Sequence, residues 1–209
     1  MLYIIRHGST VSNESKITIG STDAELSKFG RNQISQTFNR LAEMGCQPHE
    51  IWSSPANRCK ETALILSQSF PGHIKLKVLE ALRERDFGIF ENTPRRELIK
   101  AKNSLGMRDL EDPTQDWDGT TLVESDEQIW NRLKSVMATL AELEHKDNQD
   151  RIVVTHSGTT RVILKYLCGA TAGERTRIYI GNGGIVRLWT NKKTANITID
   201  QVYNPKQKG

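Results

Sequence analysis

Leu2-Tyr3-Ile4-Ile5-Arg6-His7-Gly8 is the stretch that decides the fold: four apolar residues run straight into a guanidinium, an imidazole and a glycine. The layout recurs three times. Glu50-Ile51-Trp52-Ser53 gives way to Ser54-Pro55, Ile74 to Leu82 to Arg83-Glu84, and Ile152-Val153-Val154-Thr155 to His156-Ser157-Gly158. Short apolar runs bounded by turn residues read as buried strands of a mostly parallel sheet. Helical spacing falls between them, over about 27–44, 57–68, 94–103 and 124–143, and from His156 through Val162, Ile163, Tyr166 and Leu167. In the fourth of these, Ile129, Leu133, Val136, Met137, Leu140 and Leu143 recur on one face and read as core. Strands alternating with helices predict an α/β three-layer sandwich, a mostly parallel central sheet flanked by helices. Ile185–Leu188 and Ile197–Tyr203 read as two more strands, joined as a hairpin across Asn191 to Thr194. Residues 1–209 read as one domain, with a loop or lid over about 92–123, where Ser104 to Leu122 lacks periodicity.

Composition narrows the function classes. The 209 residues carry 29 Lys+Arg against 25 Asp+Glu, a net charge of +4 that is scattered rather than clustered. Arg95-Arg96 and Lys192-Lys193 are the densest basic pairs, which is no nucleic-acid footprint. The longest apolar runs are four or five residues, too short to span a bilayer, and no basic segment followed by a long apolar stretch opens the sequence. Cys46, Cys59 and Cys168 are odd in number and far apart, so they form neither a disulfide framework nor a metal cluster. A cytoplasmic protein without nucleic-acid or membrane partners is expected; oligomeric state is open.

In open α/β sheets ligands bind beyond the carboxyl ends of the strands. Arg6-His7 ends the first strand, Arg58 follows the second at the start of a helix, Glu84 ends the third and His156 ends the fourth. Taken singly, each has a plain structural use, a turn histidine or a solvated charge. Their coincidence at strand ends points to one cleft. Two guanidiniums suit a phosphate, because their planar forks match its oxygens and stay charged. Turns at Gly8 and Gly158 offer backbone N–H groups to an anion. A neutral imidazole can attack phosphorus, and a carboxylic acid opposite can protonate a leaving alkoxide.

Arg6-His7-Gly8-Ser9-Thr10 also resembles the opening of the histidine phosphatase superfamily, the phosphoglycerate mutase-like fold. The resemblance runs on through Asn13, Gly20-Ser21-Thr22-Asp23, Gly30-Arg31-Asn32-Gln33, Ser53-Ser54-Pro55 with Arg58, Arg83-Glu84, Glu91, Glu124-Ser125 with Arg132, and Thr155-His156-Ser157-Gly158. It implies that His7 is the nucleophile and becomes a phosphohistidine, that Glu84 is the proton donor, and that Arg6, Arg58 and His156 hold the phosphoryl oxygens with Asn13. The backbone N–H of Ser157, where Gly is usual, is a further phosphate donor. No metal or organic cofactor is implied. Ser9, Ile19, Asn92 and Val123 also depart from the common pattern and remove no catalytic group. The run Glu14 to Thr22 looks like the phosphatase branch, so a small phosphorylated metabolite is the expected substrate of a metal-independent phosphomonoesterase. The alternatives are a phosphoglycerate mutase-type phosphotransferase and a non-catalytic member that binds a phospho-ligand.

Overall fold

The computed structural model describes residues 1–104, 123–169, 180–190 and 197–207. Strands β1 (Leu2–Arg6), β2 (Pro48–Ser53), β3 (Lys75–Val78), β4 (Asp150–Thr155), β5 (Ile185–Thr190) and β6 (Ile197–Tyr203) form one sheet in the order β3-β2-β4-β1-β5-β6. β1, β4, β2 and β3 are mutually parallel, and β5 runs antiparallel to both of its neighbours. The helices are α1 (Val11–Glu14), α2 (Lys28–Glu43), α3 (Asn57–Ser69), α4 (Arg95–Ser104), α5 (Asp126–Asp147) and α6 (Ser157–Leu167).

The period of two along a strand divides the core. From β1, Tyr3 and Ile5 join Ile34 and Leu41 of α2 and Ala63 and Leu66 of α3 on one face. Leu2 and Ile4 join Ile129, Leu133 and Leu140 of α5 and Val162 and Ile163 of α6 on the other. The sandwich is thus the expected three-layer one, and Val136 and Leu143 pack at the margin of the α5 face.

Three expectations change. The third strand is shorter than the apolar run: β3 ends at Val78, opposite Ser53, where β2 itself ends. With no partner to pair against, the chain turns through a 3₁₀ segment, Glu80–Leu82, and carries Glu84 into place from that turn rather than from a strand end. β3 is also no buried strand. It is the sheet's edge, exposed throughout, with Leu76 and Val78 in solvent alternating with Lys75 and Lys77, which discourage edge pairing. The short α1 has no apolar periodicity to announce it. It forms because Thr10 and Asn13 make a reciprocal capping box. The proposed hairpin turn at 191–194 and the Ser104–Leu122 part of the loop fall almost wholly outside the described residues, although β5 and β6 do pair as expected.

Asn92 has φ 60°, the left-handed region that glycine occupies without strain and asparagine tolerates better than most residues.

The start of α2 seats the loop after β1. A Cβ on Gly8 would lie 2.7 Å from the Gly30 carbonyl oxygen, and one on Gly30 would lie 2.0 Å from the Ser9 oxygen. Two backbones touch here with no room for a side chain. Helix propensity alone makes Gly30→Ala stabilising by about 1 kcal/mol. The clash reverses the sign, and a loss of about 1–3 kcal/mol is expected from overpacking. Urea unfolding measures it; an unchanged or raised midpoint contradicts the close approach.

Candidate active site

The β1–β4 pairing builds the centre of the site. Arg6 stands opposite Thr155, and the His7 N–H donates to the Thr155 carbonyl at 3.0 Å. The next residue of each strand is therefore a histidine at the same sheet end, and the two rings meet edge to face, 5.2 Å between centroids and 65° apart.

His7 Nδ1 lies 2.7 Å from the Gly8 carbonyl oxygen. A carbonyl only accepts, so Nδ1 carries the proton and Nε2 of the neutral ring keeps its lone pair. Burial pushes the His7 pKa well below its ordinary value, and the neighbouring Arg58, His156 and Arg6 push it the same way. Burial, Arg58, Arg6 and Arg132 do the same to His156. His156 Nε2 is 2.8 Å from the Ser54 hydroxyl and 3.4 Å from the Cys59 sulfur. Ser54 is fully buried, and its hydroxyl orients the imidazole. Burial also raises the Cys59 thiol to about 12, which keeps it uncharged beside the ring.

Arg58 enters from the first turn of α3 and is 0% exposed. It donates from one terminal nitrogen to the Thr22 carbonyl at 2.9 Å and from the other to Gly20 at 2.8 Å. Its buried Nε has no acceptor among the described residues. Arg6 donates to the Ile180 carbonyl at 2.9 Å. The Gly20–Thr22 loop that receives Arg58 is itself held by Glu91. That carboxylate accepts the N–H groups of Gly20, Ser21, Thr22 and Phe87 and the Thr22 hydroxyl. Burial works to raise the Glu91 pKa, yet these donors hold it below the usual carboxylate value.

Glu84, 7% exposed, lies across the start of α6. Its oxygens accept the N–H groups of Gly158 at 3.1 Å, Thr159 at 3.0 Å and Arg85 at 2.9 Å. His156, the N-cap of α6, makes no side-chain capping bond, so Glu84 satisfies that helix end from another part of the chain. The turn bearing Glu84 is fixed from behind. Arg132 donates to the carbonyls of Ala81, Arg83 and Glu84 and pairs with Glu124, which also takes both terminal nitrogens of Arg83.

Arg6, His7, Arg58, Glu84 and His156 thus come together at one sheet end, as their places along the sequence predict. Asn13 and Ser157 lie at the same end, in α1 just after the β1 loop and at the start of α6. Both are half-buried, while Glu84 and His7 are nearly covered and Arg58 and His156 fully so. The glycine amides depart from expectation. The Gly8 N–H donates to the Thr62 hydroxyl and that of Gly158 to Glu84, so both are spent inside the protein. Asn182 was not singled out from the sequence. It is buried, and its Nδ2 donates to Asn13 Oδ1 at 3.0 Å and to the His7 carbonyl at 3.2 Å. The only hint in sequence was a polar residue between glycines, Gly181-Asn182-Gly183, which reads as an ordinary turn. Among the described residues no group of three or more His, Cys, Asp or Glu is placed to hold a metal ion, and no helix is long and apolar enough to cross a membrane.

Comparison with known proteins agrees with the geometry. The family model of the histidine phosphatase superfamily (branch 1) matches residues 2–199. A broad-specificity phosphatase of Saccharomyces cerevisiae is 28% identical over 167 residues, 79% of this chain and 69% of that protein. A probable phosphoglycerate mutase of Salmonella paratyphi A is 28% identical over 188 residues, 90% of this chain and 83% of that one. Among solved structures, a mycobacterial glucosyl-3-phosphoglycerate phosphatase superposes with a TM-score of 0.79 at 23% identity, covering 98% of this chain and 99% of that one.

The two buried imidazoles give the fold a pH signature. Unfolded histidines take up protons near pH 6.5, while His7 and His156 stay neutral in the folded chain. The unfolded state then binds more protons, so stability falls as pH drops from 6.5 toward the depressed folded values, by about 1.4 kcal/mol per ring per pH unit. Urea midpoints at pH 7.5 and 5.5 test this. A flat profile contradicts neutral, buried rings.

Proposed function

The chain belongs to branch 1 of the histidine phosphatase superfamily, and from that premise we propose that it is a phosphomonoesterase acting through a phosphohistidine on His7. The observation that carries the reading is the Nδ1–H to Gly8 bond beside the His156 ring, which leaves Nε2 as an uncharged nucleophile within a positively charged pocket.

In the first half-reaction the Nε2 lone pair attacks phosphorus. The N–P bond forms as the bond from phosphorus to the ester oxygen breaks, and Glu84 gives its proton to the departing alkoxide. In the second, Glu84 takes a proton from water, the hydroxide oxygen attacks phosphorus, the N–P bond breaks and inorganic phosphate leaves. Arg6, Arg58 and His156 stabilise the charge on the equatorial oxygens, with Asn13 and the Ser157 N–H assisting. A phosphoryl oxygen would supply the acceptor that the buried Arg58 Nε lacks among the described residues. The guanidiniums provide the positive field that a metal gives in other phosphoryl-transfer sites, so the reading is metal-independent. The substrate is a small phosphorylated metabolite. A mostly covered phosphoryl pocket, with half-buried Asn13 and Ser157 at its margin, suits the end of a monoester rather than a bulky diester.

Glu84→Gln separates the acid from the nucleophile. With alkyl phosphates, whose leaving group needs a proton, kcat should fall about 10²–10⁴-fold. With p-nitrophenyl phosphate the loss of the first step should be far smaller, and a burst of nitrophenolate should precede slow turnover. Phosphate release is measured in chelator, with phosphoglycerate isomerisation assayed in parallel. Equal losses of the first step on both substrates, read for p-nitrophenyl phosphate from the nitrophenolate burst, contradict Glu84 as the acid. Loss of turnover on adding chelator contradicts metal independence, and isomerisation outpacing hydrolysis makes the protein a transferase.

A further inference from the structure

We infer that the segment following β6 sets the phosphoryl pocket from outside: Gln207, acting through Asn182, is a positioning residue for the Asn13 amide and the His7 backbone. The inference rests on the phosphate site just proposed.

Asn13 has one amide oxygen and two amide hydrogens to place. Its Oδ1 accepts the Thr10 N–H at 3.2 Å and the Asn182 Nδ2 at 3.0 Å. Both partners are donors and can meet only an oxygen, so the flip of the amide is fixed and the oxygen is saturated. Nδ2 is the end left over, a donor for an anion. Were Asn182 absent, Thr10 alone would hold that orientation, at the rim of a four-residue helix. Asn182 also donates to the His7 carbonyl, and the Gly183 N–H is shared between the Arg6 and His7 carbonyls at 3.0 Å each. The 181–184 turn therefore grips the backbone that carries the nucleophile.

That turn is in turn gripped by residues 204–207. The Gln207 side-chain amide accepts the Asn182 N–H at 3.0 Å and donates to the Asn182 carbonyl at 3.1 Å, pairing with one residue's backbone as a neighbouring strand would. Asn204 Oδ1 accepts the Gly181 N–H. A Cβ on Gly181 would lie 2.6 Å from Gln207 Cδ, so a side chain there would push the Gln207 amide off the turn. A second tie runs through α2: Gln33 donates to the Lys206 carbonyl at 2.9 Å and accepts the Ser9 N–H at 3.0 Å. Residues 204–207 thus reach both sides of the His7 loop. They lie beyond the 2–199 span of the family match, whereas Asn182 and Gln33, which they hold, lie within it.

The test is a double-mutant cycle read on competitive inhibition by inorganic phosphate, with folding checked by thermal unfolding. Asn182→Asp removes the donor and sets a carboxylate against two oxygens, which turns the Asn13 amide so that its Nδ2 faces residue 182. The phosphate Ki should rise about tenfold. Gln207→Ala, a surface change that spares the core, should raise it about threefold. In an Asn13→Ala background the Gln207→Ala effect should shrink and the Asn182→Asp effect should fall to what its added charge and the His7 backbone contact cost, because the amide they position is gone. A purely structural role would lower thermal stability while leaving the Ki increments unchanged by Asn13→Ala. If Asn13→Ala raises Ki while Asn182→Asp and Gln207→Ala leave it alone or add in full, the positioning role is overturned and the phosphate site stands. If Asn13→Ala itself leaves Ki unchanged, Asn13 is no anion ligand, and both that part of the functional reading and this inference fall. Should Asn182→Asp not fold, Gln207→Ala and its combination with Asn13→Ala decide alone.

Discussion

The pairing of β1 with β4 is the constraint on which the site depends. Residues 6 and 155 face each other, and the chain leaves both strands one residue later as histidine. A slip of one residue would move every inward side chain to the opposite face of the sheet. It would take Tyr3 and Ile5 out of the α2–α3 layer and part the two imidazoles together. The hydrophobic core and the reactive centre are therefore fixed by one register, and neither can be altered alone.

Around that register the protein uses its carboxylates as braces. Glu91 holds the loop that receives Arg58, Glu124 with Arg132 holds the turn that presents Glu84, and Glu84 spans the first N–H groups of α6. Each closes an irregular segment whose backbone donors would otherwise be unsatisfied. Arg58 is held differently. Arg58 spends its terminal nitrogens on neutral carbonyls, and both imidazoles are held uncharged by burial and by the arginines. Among the described residues Arg58 thus keeps its charge without a carboxylate hydrogen-bonded to it, which suits an anion that carries its own negative charge in.

Much of this was legible in the sequence, for physical reasons. Continuous apolar runs such as Leu2 to Ile5 cannot be anything but buried in a chain of this size, and a polar residue directly after such a run must sit at a sheet end. That rule located Arg6, His7 and His156, and Arg58 followed from its place at the start of the helix after the second strand. It failed for Glu84 in detail, because alternating Lys and apolar residues describe an edge strand whose length depends on where its partner stops. Asn182 escaped for a different reason. Its importance lies in which backbone carbonyl it meets, and that contact exists only once β5 has been laid antiparallel against β1. The glycine amides were misread because the sequence does not reveal that Thr62 and Glu84 reach them first.

The claim that carries the rest is that His7 accepts the phosphoryl group. Rapid quenching of the enzyme into base during turnover of a ³²P-labelled monoester, followed by mapping of the labelled peptide, tests it most directly. Label should appear on His7, stable to alkali and lost in mild acid, within the first turnover and at a rate no slower than kcat. Label on another side chain, or turnover with no labelled protein at any time, would contradict it.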